Sequence, residues 1–423
     1  MGAKTRKLSQ INDSLIEWQS VVVADGSTGL TAVAGRGYFI NTTGGAITVT
    51  FPASPKIGDT IIINDYATTF ATNNVTINFN GNKLEADTAN AILSTNDQTH
   101  TFVFTDATQG WKIVNQDTGT SLQPSFISAT GGTITTSGDF KIHTFTGDGC
   151  FVVSTIGNPR GGGAIVDYLV VAGGGSGQNS YGGGGAGGFR FYANTTNNPQ
   201  TGPGAPLNNY PSGTALTLST STYPVTVGAG GTAAPGTSNT AGSPSIFSTI
   251  TSAGGGKGGE YTSPSANQAG VPGGSGGGGG SFTGPGANPG GTGNTPPVSP
   301  PQGNNGGAGL HIACDVGGGG GGATAVGGNG AQPYQGGNGG AGAGITGFGT
   351  SGESSGGQYY FSGGGGGANP PGGAPGTAGL GGGGKGYNAG GTAATAGTAN
   401  TGGGGGTNVA GGKGIVVIRY KFQ

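Results

Sequence analysis

Three residue types able to ligate a metal fall close together in the run His311-Ile312-Ala313-Cys314-Asp315. A structural zinc site takes four ligands, usually as two pairs, and the only other cysteine of the chain is Cys150. The run is therefore expected to hold a locally packed histidine and cysteine, with no metal and no other cofactor. Cleavage of a glycosidic bond would need two carboxylates flanking it. The glycine-rich part of the chain offers only Glu260, Asp315 and Glu353, far apart in sequence, and the acids before it form no recognisable constellation. Lys257 and Lys385 are each followed by Gly rather than Ser or Thr, so no phosphate-binding Walker motif exists. No catalytic role is expected. Binding is a different matter. Tyr334, Phe348, Tyr359, Tyr360, Phe361 and Tyr387 interrupt the glycine runs in short segments. Aromatic side chains give a rigid apolar face, and tyrosine adds a polar tip, at low entropy cost. These six are candidate contact residues; the alternative is that each covers an edge of its own domain or packs on a neighbouring protomer.

The elements that carry these residues follow from an unusual composition. Of 423 residues, 105 are glycine and 7% are charged, with 15 Lys+Arg against 16 Asp+Glu. Soluble domains average about 25% charged and about 7% glycine. The net charge of −1 lacks the basic footprint of a nucleic-acid binder. No apolar run approaches the ~20 residues of a membrane helix, and no apolar stretch follows Met1–Arg6, so neither membrane insertion nor a secretory signal is expected. Glycine is unevenly spread: only 20 of the 105 precede residue 171, and roughly a third of the remainder is glycine. The shift marks a change of architecture.

Residues 1–20 read as an attachment segment. Lys4, Arg6 and Lys7 give a basic start, and Ile11, Leu15 and Trp18 form one apolar stripe of a short helix capped by Ser9. A helix that short is marginal alone and needs a surface to dock on. Residues 21–118 read as a β domain, a sandwich or small barrel. Ile47, Val49 and Phe51 alternate with threonines, Val75, Ile77 and Phe79 with Thr76 and Asn78, the period of a half-buried strand. Asn80-Gly81 suits a type I′ hairpin turn. Residues 119–129 form a linker. Over 130–171, Phe140–Phe145, Cys150–Ser154 and Asp167–Val171 are strand-like, and Ile415–Ile418 closes the chain in the same way. These runs are expected to pair in one sheet, a β base of residues 130–171 and 415–423 that fixes both ends of the glycine region, 172–414.

What that region does physically is the open question. Collagen needs glycine at every third position, and Gly276–Gly280 and Gly317–Gly322 break the period. A flexible spacer has no use for Val225, Val227, Ile246, Phe247, Ile250, Leu310, Ile312, Phe348 and Leu380, which recur through it. The third reading is a bundle of polyglycine II helices: extended, three residues per turn, without internal hydrogen bonds. Their N–H and C=O groups point outward, so neighbouring helices lacking Cβ atoms can bond to one another. This bundle is the expectation for 172–414.

The strand motifs carry a resemblance. Thr130-Gly131-Gly132-Thr133 through Ile142-His143-Thr144-Phe145-Thr146, Asp167-Tyr168-Leu169-Val170-Val171-Ala172-Gly173, Tyr223-Pro224-Val225-Thr226-Val227-Gly228 and Gly414-Ile415-Val416-Val417-Ile418-Arg419-Tyr420 resemble the glycine-rich domain of tail-fibre-like proteins of marine and cyanobacterial bacteriophages. Ala24–Leu30 through Asp106–Trp111 resembles a β domain of the same fibres. The resemblance implies a virion fibre or adhesin, homotrimeric, assembled in the host cytoplasm and exposed on the particle. It would bind other phage virion proteins through Lys4, Arg6, Lys7, Ile11, Leu15 and Trp18, and a host cell-surface glycan or outer-membrane protein through the six aromatics. A disulfide between Cys150 and Cys314 is not expected in such a protein, because the host cytosol is reducing. The alternative is a structural virion protein without a receptor, such as a head or neck fibre or a baseplate decoration. An extracellular matrix or ice-binding protein is a third class, but ice binding wants a regularly spaced Thr or Ala face, and the spacings are irregular.

Overall fold

Residues 16–116, 124–158, 161–178, 181–193, 213–233, 239–260, 268–281, 286–311, 315–388 and 390–423 are described by a computed structural model of the chain. The chain divides into two units, Met1–Phe126 with Gly157–Gly163, and Ile127–Ile156 with Ala164–Gln423. Among the described residues every regular element is a β-strand, and no sheet closes into a barrel.

The first unit carries β1 (Glu17–Trp18), β2 (Val22–Val23), β3 (Leu30–Thr31), β4 (Arg36–Asn41), β5 (Ile47–Thr50), β6 (Thr60–Asp65), β7 (Val75–Asn78), β8 (Ala91–Leu93), β9 (Thr99–Asp106) and β10 (Gly110–Gln116). Strands β2, β4 and β6 pair in parallel in one sheet, and β3, β5 and β7 pair in parallel in the other. The chain from Val22 to Asn78 therefore coils, laying successive strands alternately into two sheets. Strands β8, β9 and β10 return antiparallel on β7, β6 and β9. The period-two residues of both sheets meet in one core with Ile40, Ile61, Ile63, Phe102 and Trp111. Two open sheets facing one core replace the barrel alternative.

Two local expectations change. Trp18 lies in a strand rather than a helix: β1 runs parallel to β4, and the Trp18 ring stacks on Phe39 at 4.4 Å between centroids. Gly37 makes the approach possible, since a Cβ there would meet the indole at 2.7 Å. Asn80 and Gly81 both have positive φ, 52° and 85°, and Asn82 N–H donates to Phe79 O at 3.0 Å, as a type I′ turn requires. The turn does not close a two-residue hairpin, however, because β7 meets β8 through Val75–Leu93 and Ile77–Ala91.

The second unit carries β11 (Ser128–Thr130), β12 (Thr133–Ser137), β13 (Phe140–Phe145), β14 (Gly149–Thr155), β15 (Ile165–Val171), β16 (Phe189–Tyr192), β17 (Leu216–Thr217), β18 (Thr222–Thr226), β19 (Ser245–Phe247), β20 (Ile250–Ser252), β21 (Gly286–Asn288), β22 (Gly309–His311), β23 (Asp315–Val316), β24 (Ala343–Ile345), β25 (Glu353–Ser355), β26 (Gln358–Phe361) and β27 (Ile415–Lys421). β27 pairs antiparallel with β13 on one side and β15 on the other, and the order is β12-β13-β27-β15-β16. The runs 140–145, 167–171 and 415–418 thus do share a sheet. The run Cys150–Ser154 does not: it lies in β14, paired with β11 and β18 in a facing sheet of order β11-β14-β18-β19-β20. There Phe151 and Val153 close a core against Val416, Ile418 and Tyr420 of β27. The opposite face of β27, Ile415 and Val417, packs with Phe189, Ile345, Phe348 and Phe361. A strand buried on both faces needs a continuous apolar run, and β27 supplies one, broken only by Arg419. Its guanidinium donates to Asp167 Oδ2 at 2.7 and 3.1 Å and to Gly347 O at 2.8 Å, between the rings of Phe140 and Phe348.

The glycine runs leave this base and return to it, bonded sideways. Gly317–Gly322 illustrates the pattern. Its N–H groups donate in sequence to Ala368, Gly279, Gly328, Gly365, Gly276 and Ala325. Residues three apart therefore share a partner segment: 365–368, then 276–279, then 325–328. Its carbonyls accept from 183 and 186, 337 and 340, and 304 and 307, again three apart. The run is bonded to six segments, and every donor and acceptor in it is satisfied. A Cβ on any of its glycines would run into a neighbouring backbone carbonyl.

Candidate functional site

β15 leads out from the base sheet through 172–178, and β26 leads out through Gly363–Gly367. Three loops meet there. Ala374 N–H donates to Tyr334 O at 3.2 Å, Asn369 N–H to Tyr387 O at 3.1 Å, and Asn388 Nδ2 to Gly373 O at 2.7 Å. Single bridges join Gln335 to Ala374 and Asn369 to Asn388. Tyr334 and Tyr387, 53 residues apart in the chain, are thereby held on one loop cluster, with 40% and 43% of their surface exposed. Tyr334 has φ +66°, a left-handed conformation uncommon for an aromatic residue and held here by the surrounding bonds. Asn369 is buried beneath, its Oδ1 without a hydrogen-bond partner.

A polar cluster adjoins these loops, since Ala368 N–H donates to Tyr181 O at 2.8 Å. Asp315 Oδ1 lies 2.6 Å from His311 Nδ1 and accepts from Ser281 Oγ at 2.8 Å, and Tyr181 Oη reaches Oδ2 at 3.5 Å. A serine nucleophile needs its hydroxyl bonded to the imidazole that takes its proton. Here the imidazole and the serine both bond the carboxylate, and Ser281 Oγ also lies 2.9 Å from Leu310 O, so the cluster ties β22 and β23 to the run ending at Ser281. The other two acids are structural as well. Glu260 pairs with Lys257 at 2.9 Å, and Glu353 Oε2 accepts from the N–H groups of Gly381 and Gly382 at 2.6 and 2.7 Å. Among the described residues no three of His, Cys, Asp and Glu gather as a metal site. Cys150 is an exposed free thiol on β14, and Cys314 lies outside the described residues.

The remaining candidates divide. Phe348 and Phe361, 2% and 1% exposed, are core residues under the base sheet rather than surface contacts. Tyr359 packs half-buried on the same core, and Tyr360 Oη donates to Gln358 Oε1 at 3.1 Å. For Tyr359 to Phe361 the reason is β26: once Gln358–Phe361 forms a strand between β24 and β25, alternate side chains must turn inward, while Phe348 packs into the core from the loop after β24. Trp18 is 45% exposed on β1, while Lys4, Arg6, Lys7, Ile11 and Leu15 lie outside the described residues. Sequence reading missed Arg419 with Asp167, although a lone arginine in an otherwise apolar strand is a signal for a buried partner.

The glycine-rich domain family matches residues 152–421, well over half of the chain, and the protein belongs to that family. No curated protein matches it.

Proposed function

We propose that this protein is a bacteriophage virion fibre or adhesin, a homotrimer whose glycine-rich unit contacts the host cell surface. The observation that carries the reading is the loop cluster that carries Tyr334 and Tyr387, both exposed and each bonded to the loop 369–374, at the end of the glycine runs. The unit is nearly devoid of charge, so recognition there works through aromatic contact, shape and hydrogen bonding, which suits a surface glycan or an outer-membrane protein loop. The three-residue period of partners around Gly317–Gly322 supports reading the runs as polyglycine II helices, a scaffold that fixes loops without side chains. Exposed Ile134, Val152 and Ile156 offer apolar surface for contact between protomers. The resemblance of the strand motifs to those of phage fibres supports placement on the virion, with the N-terminal segment around Trp18 toward the particle.

A second reading, a structural virion protein without a receptor, gains from the burial of Phe348 and Phe361. The test separates the two. Particles carrying Tyr334→Ser with Tyr387→Ser should assemble normally and adsorb to host cells at least tenfold less. Unchanged adsorption would favour the structural reading.

A further inference from the structure

A concave site lies at the base, away from the loop end. β12 and β13 pair through Thr133–Thr144 and Thr135–Ile142, so Thr133, Thr135 and Thr144 share one face of the sheet. With Thr350 and Ser351 of the loop between β24 and β25, they line a cleft of about 530 Å³, within the ~300–1,000 Å³ range of small-ligand sites. Ile142 lies beneath the lining but is only 1% exposed, so the apolar surface of the cleft comes from the threonine methyls.

The cleft is built rather than incidental. Threonines on a strand have restricted χ1, so the hydroxyls are held in place. The opposite wall is pinned from beneath: Arg419 Nη1 donates to Gly347 O at 2.8 Å, and its guanidinium lies 4.4 and 4.5 Å from the Phe348 and Phe140 ring centroids. Gly347 takes φ +74°, and a Cβ there would collide with the same guanidinium.

The lining selects a ligand class. No charged side chain lines the cleft, and the one beneath it, Arg419, is buried and paired with Asp167. An ionic ligand finds no counter-charge. The backbone groups between β12 and β13 are bonded to each other across five residue pairs, so the face of the sheet that floors the cleft presents side chains to a ligand. What it offers is hydroxyls, each able to donate and accept, beside threonine methyls. The geometry points to an uncharged oligosaccharide, whose ring hydroxyls match the lining and whose C–H faces match the threonine methyls.

Isothermal titration of the full-length protein against a panel of short, uncharged oligosaccharides of glucose, galactose, mannose and N-acetylhexosamines tests this, with acidic glycans as controls. At least one neutral sugar should bind with Kd below about 1 mM. Thr133→Val with Thr135→Val should weaken it about tenfold or more, at ~1 kcal/mol per lost hydrogen bond, as should Thr350→Val with Ser351→Ala on the opposite wall. Tyr334→Ser with Tyr387→Ser should leave this binding unchanged, which separates the cleft from the loop-end reading. Binding only of acidic glycans, no binding at all, or undiminished binding by both cleft variants would overturn the assignment. So would variants that break the oligomer and leave sugar binding intact, since the cleft would then be a contact between copies.

Discussion

The two units solve the same problem with opposite means. In the first, side chains hold the sheets together: Phe51 meets Phe79, Phe102 and Trp111 edge-on, at centroid distances of 4.9–5.4 Å. In the glycine runs the backbone bonds to the backbone of another run, and the absence of a side chain is the requirement. Apolar burial at about 25 cal/mol per Å² stabilises the first. Full pairing of N–H and C=O groups, at about 0.5–1.5 kcal/mol per bond, offsets the large entropy cost of ordering glycine in the second. Stability can therefore be lost by removing atoms in one place and by adding one atom in the other.

The largest expected effect is in the first unit. Trp111→Ala should cost about 3–5 kcal/mol, because a fully buried indole leaves a cavity between the two sheets. Denaturant titration should show its transition shifting while that of the glycine-rich unit stays in place. A shift of both would break the contrast.

Acid should strike the first unit next. His100 is buried with neither ring nitrogen hydrogen-bonded, and desolvation holds its pKa at about 4, below the ordinary 6.5. The unfolded chain therefore takes up the proton first as pH falls. Stability is full above about 6.5 and declines toward pH 4, by about 3 kcal/mol in total. His100→Leu should flatten that slope; a slope that persists would assign it to other groups.

The smallest effect sharpens the contrast most. Gly320→Ala should destabilise the second unit by about 1–3 kcal/mol, since its Cβ would press on the carbonyl of Gly184. Gly147→Ala, whose Cβ would meet only the flexible end of Lys413 at 3.7 Å, should stay within about 0.5 kcal/mol. Equal effects at the two positions would mean that the runs are not held by close backbone contact.

These differences also explain what could be read from sequence. Where side chains encode the structure, as at Ile47-Val49-Phe51 and Val75-Ile77-Phe79, the strands were legible. Their partners were not: period two assigns a face but says nothing of whether the neighbour is the next strand or the next but one, so the parallel coil went unseen. Trp18 misled because a helical stripe and a two-residue strand place it equally well. In the glycine runs the limit is sharper, because glycine carries no side chain to distinguish one neighbour from another. The base sheet was foreseeable from apolar runs at both ends of the region. Which six segments surround Gly317–Gly322 was not. The aromatics divided by context: Tyr334 and Tyr387 sit in exposed loops, Phe361 was claimed by β26, and Phe348, although in the loop after β24, packs into the same core.

The sideways bonding of the runs has a mechanical consequence. Bonds from Gly317–Gly322 lie across the direction in which the run extends, and the neighbours include both orientations, parallel to 337–340 and antiparallel to 365–368. A force pulling the loop end away from the base therefore loads many such bonds together in shear, instead of opening them one by one as in an unzipping hairpin. Tension applied at Tyr334 or Tyr387 would be spread at once over the surrounding runs and delivered to the base sheet, where β27 is clasped on both sides.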